Sequence, residues 1–202
     1  MERSGAPPST IEEAGRARKE TRVIVVTDGD ETAWRAIRTA SRDLGLHPLR
    51  ASAGNPTPVD GATLIEAIRR APDEPVVVMV DDRGETGTGA GEVALRQLLG
   101  APGLNVLGVV AVASNTEPVS GVRPVYSVDR NADLISGAVD KTGHPDGTVL
   151  KGDTVDVLRR TKVPVIGLGD PGKMAGQDAA GRGAPATRAA LAALLGRDAP
   201  KG

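Results

Sequence analysis

Four stretches of the chain are almost wholly apolar and rich in β-branched residues: 23–26, 75–80, 106–113 and 163–168. Short runs of that kind, without polar alternation, fit strands buried on both faces. Between them the period changes. Ala33, Trp34, Ile37, Ala40 and Leu44 recur at helical spacing, and Gly45 is placed to close that helix. Leu64, Ile65 and Ile68 repeat the pattern behind Asp60, a suitable N-cap, and Val93, Leu95, Leu98 and Leu99 mark a third helix. A short strand is expected at residues 48–51, followed by a loop at 52–58.

The resulting order, β-α-β-α-β-α-β, predicts an α/β three-layer sandwich with a mainly parallel sheet of flavodoxin- or Rossmann-like topology. The second half is less regular. Residues 125–129 and 134–140 read as a β-hairpin insertion, 153–160 as a short helix capped by Asp153, and 163–168 as the last core strand. Residues 185–195 form an Ala/Leu helix with Pro185 in its first turn. Residues 1–21, with prolines and unpatterned charges, read as a disordered leader. Residues 22–195 read as one domain, and 196–202 as a frayed tail.

Composition sharpens this picture. One Trp, one Tyr and no Phe mean that the core is aliphatic. The 25 basic and 26 acidic residues give a net charge of −1, and this balance with so few aromatics argues against nucleic-acid binding. No cysteine is present, so disulfides, thiolate catalysis and cysteine zinc sites are excluded. Residues 1–21 hold no apolar stretch of the signal-peptide kind, and no run reaches the roughly 20 apolar residues of a membrane helix. No basic amphipathic helix stands out, so binding to lipid alone is expected to be poor.

Ligands of open parallel sheets bind beyond the carboxyl ends of the strands. That edge is expected to gather Asp28, Asp30, Ser52, Asn55, Asp81, Asp82, Ser114, Thr116, Asp170 and Lys173. Asp28, Asp30 and Asp81 could take up Ca²⁺ or Mg²⁺ weakly, because hard cations want oxygen ligands. Each aspartate equally suits a helix cap or a turn. Asp81 and Asp82 are adjacent, so in strand geometry they face opposite ways and cannot share an ion. Gly167-Leu168-Gly169-Asp170-Pro171-Gly172 spells a dinucleotide fingerprint but lacks the following strand and acid, and the glycines of 84–91 lack a P-loop lysine. His47 and His144 read as surface residues, Trp34 as core and Tyr126 as a cross-strand packing residue. No catalytic set emerges.

A longer pattern is more specific. Val26-Thr27-Asp28-Gly29-Asp30-Glu31, Ala51-Ser52-Ala53-Gly54-Asn55-Pro56-Thr57-Pro58, Pro75-Val76-Val77-Val78-Met79 with Asp81-Asp82, and Val106-Leu107-Gly108-Val109 follow in order. Then come Ala111-Val112-Ala113-Ser114, Gly137-Ala138-Val139-Asp140-Lys141, Gly152-Asp153-Thr154-Val155, Val163-Pro164-Val165-Ile166 and Gly169-Asp170-Pro171-Gly172-Lys173-Met174. Across residues 22–195 this series resembles the soluble form of stage V sporulation protein AE. The resemblance implies a non-enzymatic soluble subunit of the machinery that moves calcium dipicolinate across the spore inner membrane in sporulation and germination. It would be held peripherally there, with membrane-embedded stage V subunits and germinant receptors as partners, no cofactor, and no transmembrane insertion of its own. It brings no catalytic residues.

Two other readings start from the same aspartates. A receiver-type phosphoacceptor would use Asp28, Asp30 and Asp81 with Ser114 or Thr116 and a lysine after the last strand, although Lys173 comes late for that. A Mg²⁺-dependent phosphoryl-transfer enzyme of topoisomerase–primase type wants Glu after the first strand and alternating aspartates, whereas here Thr27-Asp28 and Asp81-Asp82 stand.

Overall fold

The computed structural model describes residues 20–84, 88–115 and 119–196. The expected leader and tail lie outside this set except for Glu20, Thr21 and Gly196, as does Thr116. Seven strands form one sheet: β1 (Thr21–Val26), β2 (His47–Pro48), β3 (Val76–Met79), β4 (Leu104–Val112), β5 (Tyr126–Val128), β6 (Leu134–Ile135) and β7 (Val165–Leu168). Their order is β2-β3-β1-β4-β7-β5-β6, and every pairing is parallel except β5 with β6. The expected sandwich is therefore present. In the flavodoxin order the first strand lies between the second and third, and in the Rossmann order between the second and fourth. Here β1 lies between β3 and β4.

Successive strand residues feed two separate cores, as the period of the pleat requires. Val23, Val25, Val76, Val78, Val109, Ala111 and Val165 pack on one face. Ile24, Val26, Val77, Met79, Val110, Val112, Ile166 and Leu168 pack on the other. The second face is covered by α1 (Glu31–Leu44) and α4 (Pro185–Leu194), which supply Trp34, Ile37 and Leu191. The first is covered by α2 (Gly61–Arg69) and α3 (Ala90–Gly100), with Leu64, Ile68, Leu95 and Leu98. Leu150, Val155 and Leu158, from the irregular second half, complete that layer.

Local signals explain most boundaries. The Asp30 carboxylate accepts the Ala33 N–H at 2.8 Å and starts α1, and Gly45 closes it at φ 69°, where a side chain would be strained. Asp60 caps α2 through the Thr63 N–H at 2.7 Å. Trp34 is buried as expected, with the Arg50 guanidinium 5.0 Å from its ring centre.

Several expectations need correction. The strand expected at 48–51 is only His47–Pro48, because the chain turns into a short 3-10 helix at Arg50–Ser52. The hairpin is present, inserted in the chain between the neighbouring strands β4 and β7, and because β5 pairs with β7 it forms the far edge of the main sheet. The helix expected from Asp153 is a 3-10 helix at Asp156–Arg160, and Asp153 caps nothing there. Val93, counted with the apolar positions of α3, lies 42 % exposed, and Tyr126, paired with Ile166 of β7, is 50 % exposed. Among the described residues no helix is long and apolar enough to cross a membrane.

Candidate functional site: the carboxyl edge of the sheet

The loops after β1, β3, β4 and β7 leave the sheet on one side, so the predicted aspartates do reach one edge. They do not converge there. The chain passes from β1 to α1 on one face and from β3 to α3 on the other, which splits the acids into two groups.

The first group surrounds the start of α1. Asp30 caps the helix and also takes the Lys173 ammonium at 2.7 Å, while the Asp170 carboxylate lies 3.7 Å from the same nitrogen. Burial acts to raise the Asp30 pKa, but the bonds from Lys173 and Ala33 outweigh it and hold the group below its usual range. Asp170 is pushed up by burial, against the pull of Lys173 and Lys141. Burial alone would lower the Lys173 pKa, yet Asp30 and Asp170 raise it above the ordinary lysine value. Asp28 differs from both. Its carboxylate accepts the Asp30 N–H at 3.0 Å, and burial with the Asp30 and Asp81 charges drives its pKa up to about 7.

Lys173 is held by a strained loop. Met174 and Ala175 have φ of 47° and 53°, a region costly for residues with a β-carbon, between Gly172 and Gly176 at 77° and 83°. Two anchors keep it there. Met174 is fully buried in the α1/α4 core, and Asp178 accepts the Gly172 N–H at 2.8 Å. Asp178 itself has no exposed surface, and also takes the Ala186 and Thr187 N–H groups at the start of α4. It thus caps a helix from eight residues upstream of Ala186, a spacing that hides the cap in the sequence.

The second group serves the other layer. Asp81, 6 % exposed, accepts the Gly29 N–H at 3.0 Å and the Arg83 N–H at 2.7 Å. Burial raises its pKa against those two bonds. Asp82, 2 % exposed, accepts the Gly91 N–H at 2.6 Å, the Glu92 N–H and the Thr154 hydroxyl, and so caps α3 where Gly89 cannot. The two carboxylates diverge, as adjacent strand-end residues must. Ser114 donates to Asp153 at 2.6 Å, and Asp153 also receives the Gly84 N–H at 2.7 Å.

The crevice between β1 and β3 is filled by the chain itself. Thr57 bonds reciprocally with the Asp81 backbone, its hydroxyl accepting the Asp81 N–H at 2.8 Å and its own N–H reaching the Asp81 carbonyl at 2.9 Å. Ser52 lies deeper and pins the turn to β3, donating to the Leu49 carbonyl at 2.7 Å and accepting from the Met79 N–H at 2.9 Å. Gly29 packs so closely that a β-carbon would overlap the Gly54 carbonyl and lie 2.9 Å from Asp81 Cβ. Asn55 is exposed at the tip of this loop.

Asp28, Asp30 and Asp81, the expected cation ligands, are thus divided between a lysine, helix caps and loop amides. Among the described residues no group of three or more His, Cys, Asp or Glu is arranged to hold a metal ion. The receiver comparison fares unevenly. Lys173 does reach Asp30, but Asp81 is turned onto two backbone amides and the strand order differs from that of receivers. The most distinctive chemistry of the edge is a carboxyl group, Asp28, poised to exchange a proton near neutrality beside an Asp30–Lys173–Asp170 charge chain.

Thr57, Thr154, Asp153 and Asp178 are the contributors that sequence reasoning missed. Thr57, Asp153 and Thr154 lie inside the quoted family pattern, where Asp153 reads as a helix cap; Asp178 lies outside it. No curated protein and no solved structure matches the chain. One family model does, over residues 22–198, and by that match the chain belongs to the stage V sporulation protein AE1 (SpoVAE) family.

Proposed function

We propose that this protein is a non-enzymatic accessory subunit of the machinery that carries calcium dipicolinate across the spore inner membrane, acting peripherally at that membrane in sporulation and germination. The observation that carries the reading is the family match across residues 22–198, which makes a sporulation role the starting point. The state of the carboxyl edge supports the non-enzymatic part. Asp81, Asp82 and Asp178 are spent on backbone amides that fasten loops and helices, which is the work of a rigid binding face. Membrane-embedded stage V subunits are its partners in this reading, and germinant receptors are further candidates.

The test is deletion of the gene in its sporulating host, with spore dipicolinate measured by terbium fluorescence during core loading and again during germination. Loss of loading or slowed release, restored by the intact gene, is the expected result. Normal loading and normal release together would overturn the proposal.

A further inference from the structure

A second feature of the surface lies away from the carboxyl-edge aspartates, at the amino-terminal ends of β5 and β7. A cleft of about 650 Å³ opens there, between the segment 120–125 and the segment 158–165. Its floor is apolar, with Val122, Leu158 and Val165 buried beneath it. Its rim carries Arg123, Arg159 and Lys162, all exposed, and among the described residues no Asp or Glu lines it. Among the described residues none of these three side chains forms a hydrogen bond or ion pair. The acid behind the wall, Asp156, is occupied by the Ser120 and Gly121 N–H groups, the latter at 2.7 Å. Beside the cleft, Val125 and Tyr126 are 59 % and 50 % exposed, among the largest exposures of any apolar side chains described.

Arg35, Arg70 and Arg96 each pair with a glutamate one helical turn away, whereas Arg123, Arg159 and Lys162 stand around an apolar floor without such a partner. We propose that this cleft docks an acidic segment of a partner protein, an extended stretch in which apolar side chains enter the floor and flanking carboxylates meet Arg123, Arg159 and Lys162. Charge complementarity selects the sign of the partner. Shape selects its class: a concave cleft receives inserted side chains, whereas a lipid surface would need the apolar residues on a protruding face. Val125 and Tyr126 extend the apolar contact beyond the cleft, and aromatic side chains suit such borders. This inference rests on the cleft alone, so it stands or falls separately from the dipicolinate reading.

The test uses the full chain and a fluorescein-labelled peptide of alternating glutamate and leucine, read by fluorescence polarisation, with a lysine–leucine peptide as control. The glutamate peptide should bind, more weakly as salt is raised. The combined variant Arg123→Gln, Arg159→Gln and Lys162→Gln should lose at least about tenfold in affinity, the effect of roughly 1.4 kcal/mol. Arg38→Gln, an exposed change on α1, should leave it unaltered. Tyr126→Ser should weaken binding without altering the salt response. Equal binding of both peptides, no binding at millimolar protein, or full binding by the triple variant would each overturn the proposal. Flotation with phosphatidylglycerol vesicles completes the test. Vesicle binding that the triple variant abolishes would assign the cleft to a membrane surface instead and would also overturn it.

Discussion

Replacing Asp28 by Asn should stabilise the protein at alkaline pH and do little in acid. The Asp28 carboxyl has an ordinary pKa of 3.8 in the unfolded chain and one of about 7 in the fold. Between those values the folded protein keeps a proton that the unfolded chain has released. Stability therefore falls as pH rises through this window, and levels off above it. At about 1.4 kcal/mol per pH unit, the interval sets a ceiling of ~4 kcal/mol. Asp28 is partly exposed, and solvent screening reduces this to about 2 kcal/mol. Asn matches the shape, keeps an oxygen for the Asp30 N–H and never ionises, so it escapes the penalty. Urea unfolding of both proteins at about pH 4 and about pH 8 measures the effect, since the other titrating groups largely cancel in the difference. The expected gain near pH 8 is about 2 kcal/mol, or ~4–8 °C in melting temperature for a chain of this size. An offset independent of pH, or a variant less stable at pH 8, would refute the burial argument.

Other perturbations probe the scaffold. Asp178→Ala should cost about 2–3 kcal/mol in chemical unfolding, because it strands several buried donors. Asp60→Ala, at a fully exposed cap, should cost clearly less than Asp178→Ala, and equal losses at the two sites would contradict the burial difference. Gly29→Ala should destabilise by about 1–3 kcal/mol through overpacking against Gly54 and Asp81, and a neutral result would mean that the 52–58 loop yields easily. Finally, chelator should leave the melting temperature unchanged, since the two aliphatic layers need no ion to hold them; a drop of several degrees would reveal a structural metal at the acidic edge.

The carboxyl edge also bears on how the protein could respond to its surroundings. Loss of the Asp28 proton near neutrality adds charge beside Asp30, Asp81 and Lys173, the last held on a separate loop by strained backbone at Met174 and Ala175. The same edge is rigid elsewhere, because Asp81, Asp82 and Thr57 tie β3 to the loops on both sides.

Much of the architecture was legible in the chain itself. The apolar runs at β1, β3, β4 and β7, the helical spacing in α1 and α2, and the caps Asp30, Gly45 and Asp60 are local signals, each readable within about a dozen residues. Burial on both faces was legible too, because strands without polar alternation leave no face for water. The tertiary structure decided the rest. The position of β1 between β3 and β4, and the hairpin's place beside β7, depend on which strands pair across long stretches of chain. The fate of the aspartates depends on that order. Asp81 meets Gly29 over 52 residues, Asp82 meets Thr154 over 72, and Lys173 meets Asp30 over 143. An acid after a strand looks the same in sequence whether it will bind a cation, cap a remote helix or pair with a lysine. Only the packing that brings its partners within hydrogen-bond reach, where burial makes an unpaired charge costly, chooses among them.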